Sequence, residues 1–433
     1  MTKTKFTQAN EKIGKYRWTI CTLVFFATTV NYLDRQVIGI LKPMLDTDLG
    51  IGEAEYGFIV TAFQFAYAIG MLVVGRLIDK LGTKLGYAFA FIGWSLAAMA
   101  HALSRGAIGF GIARAALGFT EAGNFPAAIK TTAEWFPKKE RAFATGLFNS
   151  GTNVGAIVAP LVVPWLAINW GWQMAFVATG AVGLIWLIFW FIFYEIPEKQ
   201  KRLGEAELAY IKSDQEDEVK ESIPWLTLLK YRQTWAFFVG KFLTDPIWWF
   251  YLFWIPAWLA DVRGLSITEF GLPLVVIYSA TTVGSIFGGW LSSHLIKKGW
   301  EVHRARSGSM LLFAILVIPI VFAQSEGISF WGAITLISIA AASHQAWSAN
   351  IFTTVSDMFP KRAVASVTGI GGFAGSVGGM LVASFTGIML QFWEGKGHIE
   401  IGYRTLFIIS GSAYILAWVL MNLIAPKMKK VDL

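Results

Sequence analysis

The chain alternates between long apolar stretches and short polar breaks. Stretches of roughly 20 apolar residues are long enough to cross about 30 Å of hydrocarbon as helix. About twelve occur, at residues 18–41, 56–78, 85–103, 108–132, 143–168 and 172–193, then at 235–260, 270–296, 309–324, 330–356, 363–392 and 403–424. Between the two sets, residues 195–232 are rich in Glu, Lys, Asp and Gln and predict a polar linker with amphipathic helix around 205–211. The pattern therefore predicts an all-α membrane protein with domains at 1–194, 195–232 and 233–433.

The two sets of spans repeat one another. The run EWFPKKERAFATGLFNSGTNVGA from Glu134 matches DMFPKRAVASVTGIGGFAGSVGG from Asp357, with Pro137 and Gly146 nine apart, as are Pro360 and Gly369. Gly155 and Gly378 follow nine residues later in each. Several punctuating residues thus hold register through a loop and into a helix. Two pseudo-symmetric six-helix bundles of parallel topology are expected, of the kind that encloses a midplane site.

Composition agrees and adds orientation. Of 433 residues, 55% are hydrophobic and 15% charged, with mean hydropathy +0.55, more than the core of a soluble domain requires. The net charge of +8 could indicate nucleic acid, but the basic residues sit in short loops between spans, where they report topology. Lys3, Lys5, Lys12, Lys15 and Arg17 precede the first span, and Lys80, Lys84, Lys138, Lys139, Arg141, Lys297, Lys298, Lys361, Arg362 and Lys427 fall in every second loop. Both termini are expected in the cytoplasm. The first apolar run, lacking a small-residue cleavage site, is expected to be a retained helix. The single Cys21 offers neither a disulfide framework nor a multi-cysteine metal site, and no cofactor is expected.

Two spans carry charge where it is expensive. Asn31, Tyr32, Leu33, Asp34 and Arg35 lie inside the first span, and Arg114 and Glu121 lie seven residues apart in the fourth. Even lenient insertion scales charge about 2.5–3.5 kcal/mol for one such residue at mid-membrane, so these groups mark an interior cavity or pathway. Arg114 and Glu121 share a helix face; Asp34 and Arg35, adjacent in sequence, point about 100° apart. A static ion network is the plain alternative, although buried ion pairs stabilise poorly. Lys241 and Asp245 in the seventh span form an i,i+4 pair ahead of the aromatic run Trp248–Tyr251, and either self-neutralisation or a cavity role fits them. Tyr32, Tyr67, Asn149, Thr152, His344, Gln345 and Asn350 offer hydroxyl, amide and imidazole groups suited to a hydroxylated ligand.

Gly75, Asp79, Lys80 and Gly82 punctuate the loop after the second span as GxxxDKxGxK, where Gly75 would permit close helix approach and Gly82 a tight turn. The glycines at 369–379, Gly151/Gly155 and Gly284/Gly288 read as close helix crossings, since no strand precedes them to make a dinucleotide site. No Walker loop, HExxH or Ser-His-Asp constellation stands out, so the chain is not expected to be an enzyme.

GxxxDKxGxK, twelve spans in two halves and a long central linker together resemble the major facilitator superfamily. NYLDRQ in span one, ARAALGFTEAGNFPAA in span four, EWFPKKERA after it and SHQAWSAN in span ten resemble its anion:cation symporter branch, and within that the bacterial hexuronate transporters. The resemblance implies a proton-coupled symporter importing glucuronate or galacturonate by alternating access, across the bacterial inner membrane, working as a monomer on a small organic anion and protons. It further implies that Arg35 holds the substrate carboxylate, that Asp34 and Glu121 are protonatable, that Arg114 partners a nearby acid, and that Tyr67 and Asn149 occupy ligand positions. A carrier for an aldonate or aldarate, or a transporter-like sensor that moves nothing, are the alternatives. One proton with a monoanion would be electroneutral; two would draw on the membrane potential.

Overall fold

The computed structural model describes residues 13–213 and 224–431, and among these the chain is helical with no strand. The helices are α1 (Tyr16–Leu49), α2 (Glu53–Leu81), α3 (Thr83–Ala100), α4 (Ala107–Glu121), α5 (Asn124–Trp135), α6 (Lys138–Asn149), α7 (Gly151–Trp170) and α8 (Trp172–Phe193). Short α9 (Glu205–Lys212) and α10 (Trp225–Leu228) follow, then α11 (Arg232–Asp261), α12 (Gly271–Lys297), α13 (Val302–Val317), α14 (Phe330–Met358), α15 (Lys361–Glu394) and α16 (Ile399–Ile424). α4 with α5 and α6 with α7 each make one crossing. This is the expected twelve-span layout with spans four and five interrupted. At the first break, a Cβ on Gly123 would strike Val74 and Ala90; at the second, the Ser150 hydroxyl donates to the Leu147 carbonyl at 2.6 Å. Lys3, Lys5, Lys12 and part of the linker lie outside the described residues.

Among the described residues, seven crossings are long and apolar enough by composition to span a bilayer unaided. The other five, α1, α2, α4–α5, α11 and α14, fall short because they carry the polar residues that face inward. Their neighbours turn apolar side chains outward instead: Ile185, Ile188, Phe189 and Ile192 of α8 are all exposed, as lipid contact requires.

The sequence repeat is a structural one. Pro137 and Pro360 are the N-caps of α6 and α15 with nearly the same backbone angles, φ −62°, ψ 153° and φ −63°, ψ 152°. Gly155 packs α7 against the Thr29 carbonyl of α1, and Gly378 packs α15 against the Phe242 carbonyl of α11; a Cβ at either would clash with backbone. Gly284 and Gly288 bring α12 equally close to Ala342 and Ala346 of α14. Gly75 does not work this way: its Cβ would meet only Pro126, at 3.8 Å. The close approach of α2 to α4 falls one turn earlier, at Gly70, whose Cβ would lie 2.5 Å from the Phe119 carbonyl oxygen.

The halves meet through α2 with α15, α7 with α12 and α1 with α11. Gly57 faces Gly387, the Thr61 and Ser384 hydroxyls lie 2.8 Å apart, the Tyr56 hydroxyl donates to the Phe253 carbonyl at 2.8 Å, and Thr281 donates to Asn153 at 3.4 Å. At the α1–α2 connection, buried Lys42 pairs with Glu53 and lies 3.8 Å from Asp261 of α11, which also accepts from Tyr403 at 2.8 Å. Among the described residues, every hydrogen bond or ion pair joining the halves lies between that end and mid-membrane.

The opposite end, which carries the termini, is braced within each half. Glu134 accepts from Thr83 at 2.6 Å and from Tyr194 at 2.5 Å, tying the α2–α3 turn to α5 and α8. Gly82 takes φ +78° there, a conformation glycine enters at little cost. Lys80 is exposed, and the Asp79 side chain lies outside the described residues. Lys84 bonds Glu195 at 2.8 Å, and that hydrogen bond holds the carboxyl below its usual range. Arg17 clamps Glu140 and Glu207 at 2.8 and 3.0 Å, fastening linker helix α9 to α1 and α6.

Candidate functional site

α1 presents Arg35 toward α4 and toward the second half. Its Nε donates to Glu121 Oε2 at 2.6 Å, with both side chains buried. The guanidinium carbon lies over an aromatic box: Tyr67 at 4.7 Å, Tyr32 at 5.0 Å and Phe63 at 5.4 Å from the first half, and Trp249 at 5.6 Å from α11 of the second. Ring faces stabilise a cation electrostatically, and they hold its fork at the seam between halves. One fork nitrogen, Nη2, has no partner in the protein, nor has Glu121 Oε1.

Arg114 sits on the same face of α4 as Glu121, two turns away, yet does not pair with it. Its Nη2 donates to the Arg35 carbonyl at 2.6 Å, its guanidinium lies 5.1 Å from Phe63 and 5.7 Å from Phe253, and no described acid approaches within ion-pair distance. Glu121, the acid on its own helix face, and Asp34 lie within electrostatic range of Arg114, while the direct hydrogen bond of Glu121 goes to Arg35. Asp34, turned away from Arg35 by the helical repeat, lies beside Thr179 of α8. Neither of its carboxylate oxygens has a hydrogen-bond partner.

Buried polar groups are nearly always bonded, so the orphans here are informative. The amides of Asn31, Gln36 and Gln64, both Asp34 oxygens, and Nε and Nη1 of Arg114 are buried without protein partners. Others lie elsewhere in the fold, but these belong to α1, α2 and α4, the helices that carry Arg35, Tyr67 and Glu121.

The remaining candidates divide. Tyr32 and Tyr67 join the box. Thr152 is half-buried and Asn149 is exposed; Asn153, one turn on, reaches the other half. In the second half, His344 Nδ1 bonds the Tyr414 hydroxyl at 2.6 Å, and its ring stacks on Trp248 at 5.1 Å, inside the packing of α11, α14 and α16. Asn350 donates to the Gly288 and Ala346 carbonyls, both at 2.9 Å, joining α14 to α12. Gln345 is half-buried. The structure thus gathers Arg35, Tyr32, Tyr67, Asp34, Glu121 and Arg114 in one wall and leaves His344 and Asn350 in helix packing. Phe63 and Gln64 were missed, and Trp249 was not told apart from the rest of its aromatic run; only the crossing of α2 and α11 over α1 singles them out.

The family described as Major Facilitator Superfamily matches residues 24–383. The hexuronate transporter of Escherichia coli (strain K12) is 33% identical over 405 residues, covering 92% of this chain and 91% of that protein. The galacturonate transporter of Dickeya chrysanthemi is 36% identical over 314 residues, covering 71% of this chain and 90% of that one. Among solved structures, a bacterial homolog to the human lysosomal transporter Spinster, in an inward-facing and unoccupied conformation, superposes with a TM-score of 0.79 over 96% of this chain and 98% of that one, at 18% identity.

Proposed function

Because the chain belongs to the Major Facilitator Superfamily, a family of multi-pass membrane carriers and not of enzymes, we propose that it is a proton-coupled symporter that imports a hexuronate, glucuronate or galacturonate. It does so across a bacterial inner membrane, as a monomer, with both termini in the cytoplasm. The relatives named above support the substrate class. In that orientation the halves are pinned at the outer end, so this state faces inward.

The observation that carries the reading is the buried Arg35–Glu121 pair at the seam, with one guanidinium nitrogen and one carboxylate oxygen still unpartnered. A sugar-acid carboxylate is the natural second claimant on that fork, because Arg binds carboxylates through two parallel hydrogen bonds. When the substrate takes Arg35, Glu121 loses its counter-charge. A buried carboxylate left alone costs about 3–5 kcal/mol, and a proton on Glu121 removes that cost. Anion and proton are then bound together by charge balance. Asp34, with no ion pair of its own, carries a second proton, which makes the cycle electrogenic. Release follows as the halves rock about the seam.

An uptake panel of labelled glucuronate, galacturonate, galactonate and glucarate, with and without a proton uncoupler, tests this. The reading requires uptake of a hexuronate that collapses with the uncoupler; uptake of none of these acids, or uptake indifferent to the uncoupler, overturns it.

A further inference from the structure

Across the seam from Arg35 the second half presents a charge pair that the proton cycle does not use. Lys241 Nζ lies 2.7 Å from Asp245 Oδ2, one turn along α11. The two ends are not equally placed. Lys241 is 5% exposed and packs its ammonium 4.1 Å over the Phe352 ring, whereas Asp245 is 20% exposed. The acid is in front and the base behind it.

Asp245 also faces the substrate wall. Trp249, which touches Arg35 at 5.6 Å, is four residues on and therefore on the same helix face, about 6 Å away along the axis. Tyr32 of α1 lies within electrostatic range of the Asp245 carboxylate. On the α15 side the space is kept by Gly375, where any Cβ would strike that carboxylate. One partly exposed carboxylate thus lies between α11 and α15, about a helical turn from the Arg35 box, a span that suits the length of a six-carbon sugar acid.

Resting on the hexuronate reading, we infer that Asp245 selects singly charged sugar acids and rejects doubly charged aldarates. A carboxylate offers acceptors only, so it receives the hydroxyls at the far end of a uronate or aldonate in charge-assisted hydrogen bonds. An aldarate brings a second carboxylate to that place and meets a like charge. To reach Lys241 it would have to displace Asp245 and leave it buried and unpaired. Specificity here comes from the repulsive element as much as from the attractive one.

The test is inhibition of labelled glucuronate uptake in proteoliposomes at pH 7, where all the acids are ionised. Galacturonate and galactonate should inhibit at least about tenfold more strongly than glucarate and galactarate, a discrimination of the size one well-placed polar group supplies. Asp245→Asn should narrow that ratio to within about threefold, by removing the repulsion and freeing Lys241, while Asp245→Glu retains it. The double variant Lys241→Gln/Asp245→Asn leaves no stranded charge and should narrow it as well. Wild-type protein that accepts aldarates within about threefold of uronates overturns the inference while leaving the hexuronate reading intact. So does an unchanged ratio in both neutralised variants. Failure of every acid to compete overturns the hexuronate reading itself.

Discussion

Gly57 is the point where a single carbon should shift the whole carrier. It sits in α2 against Gly387 of α15, at the pinned end. A Cβ there would lie 2.8 Å from Gly387 Cα and 2.9 Å from the Ala383 carbonyl oxygen. Both neighbours are backbone, so no side chain can swing aside; the helices must part by about 1 Å to restore ordinary carbon contacts of 3.5–4.0 Å. Overpacking of this kind costs about 1–3 kcal/mol, and only in the state that closes this end. Gly57→Val should therefore shift the balance toward the oppositely open state by roughly 5- to 150-fold. Ser384, 2.8 Å from Thr61 across the same contact, reports the opening. With the buried native thiol removed (Cys21→Ala), a Ser384→Cys probe should react at least about fivefold faster with an impermeant maleimide once Gly57 is Val. Gly146→Val is the control, since a Cβ at Gly146 meets nothing within 4 Å. Unchanged labelling in folded Gly57→Val protein, or an equal rise with Gly146→Val, refutes the reasoning.

Other consequences are as direct. Arg35→Ala removes the carboxylate fork and should weaken glucuronate binding by at least about 30-fold; titration calorimetry giving an affinity within a few-fold of wild type would dismiss that role. Glu121→Gln keeps a hydrogen-bond acceptor for Arg35 but carries no proton, so counterflow exchange should survive while accumulation driven by a pH gradient is lost. Asn350→Leu gives up two 2.9 Å hydrogen bonds and should cost about 1–3 kcal/mol, seen as a lower melting temperature with the affinity for glucuronate unchanged; a selective loss of affinity would return Asn350 to the binding wall.

The sequence carried the fold clearly. Length and hydropathy are enough to count spans, and the Pro137/Pro360 and Gly155/Gly378 registers survive as matching caps and matching helix crossings. Helix ends were less visible. α1 continues past the apolar run to Leu49, through Pro43, and stops at Gly50 with φ +62°; nothing in a hydropathy pattern separates a helix that leaves the membrane from one that ends there. The interruption of span four precedes Pro126, which has no N–H to continue the helix across Ala122, and that of span five falls at Ser150; an apolar count registers neither.

For the site, spacing along one helix told which groups share a face and not which partner each would take. Arg114 and Glu121 are neighbours by periodicity, but Arg35 on another helix claims the acid. Lys42, Glu53 and Asp261 lie at the ends of spans, and only the structure shows them as a cluster joining α1, α2 and α11. Asn153, one turn beyond Asn149, makes the hydrogen bond to the other half, a partner that periodicity alone does not pick out.

The measurement closest to the central claim is the accumulation of labelled glucuronate in proteoliposomes under an imposed gradient of one pH unit, acid outside. Each coupled proton contributes about 1.4 kcal/mol per pH unit, so the account predicts an internal concentration that rises about tenfold above the external one per proton and collapses when an uncoupler is added. Equilibration to equal concentrations on both sides, with or without the gradient, would contradict it.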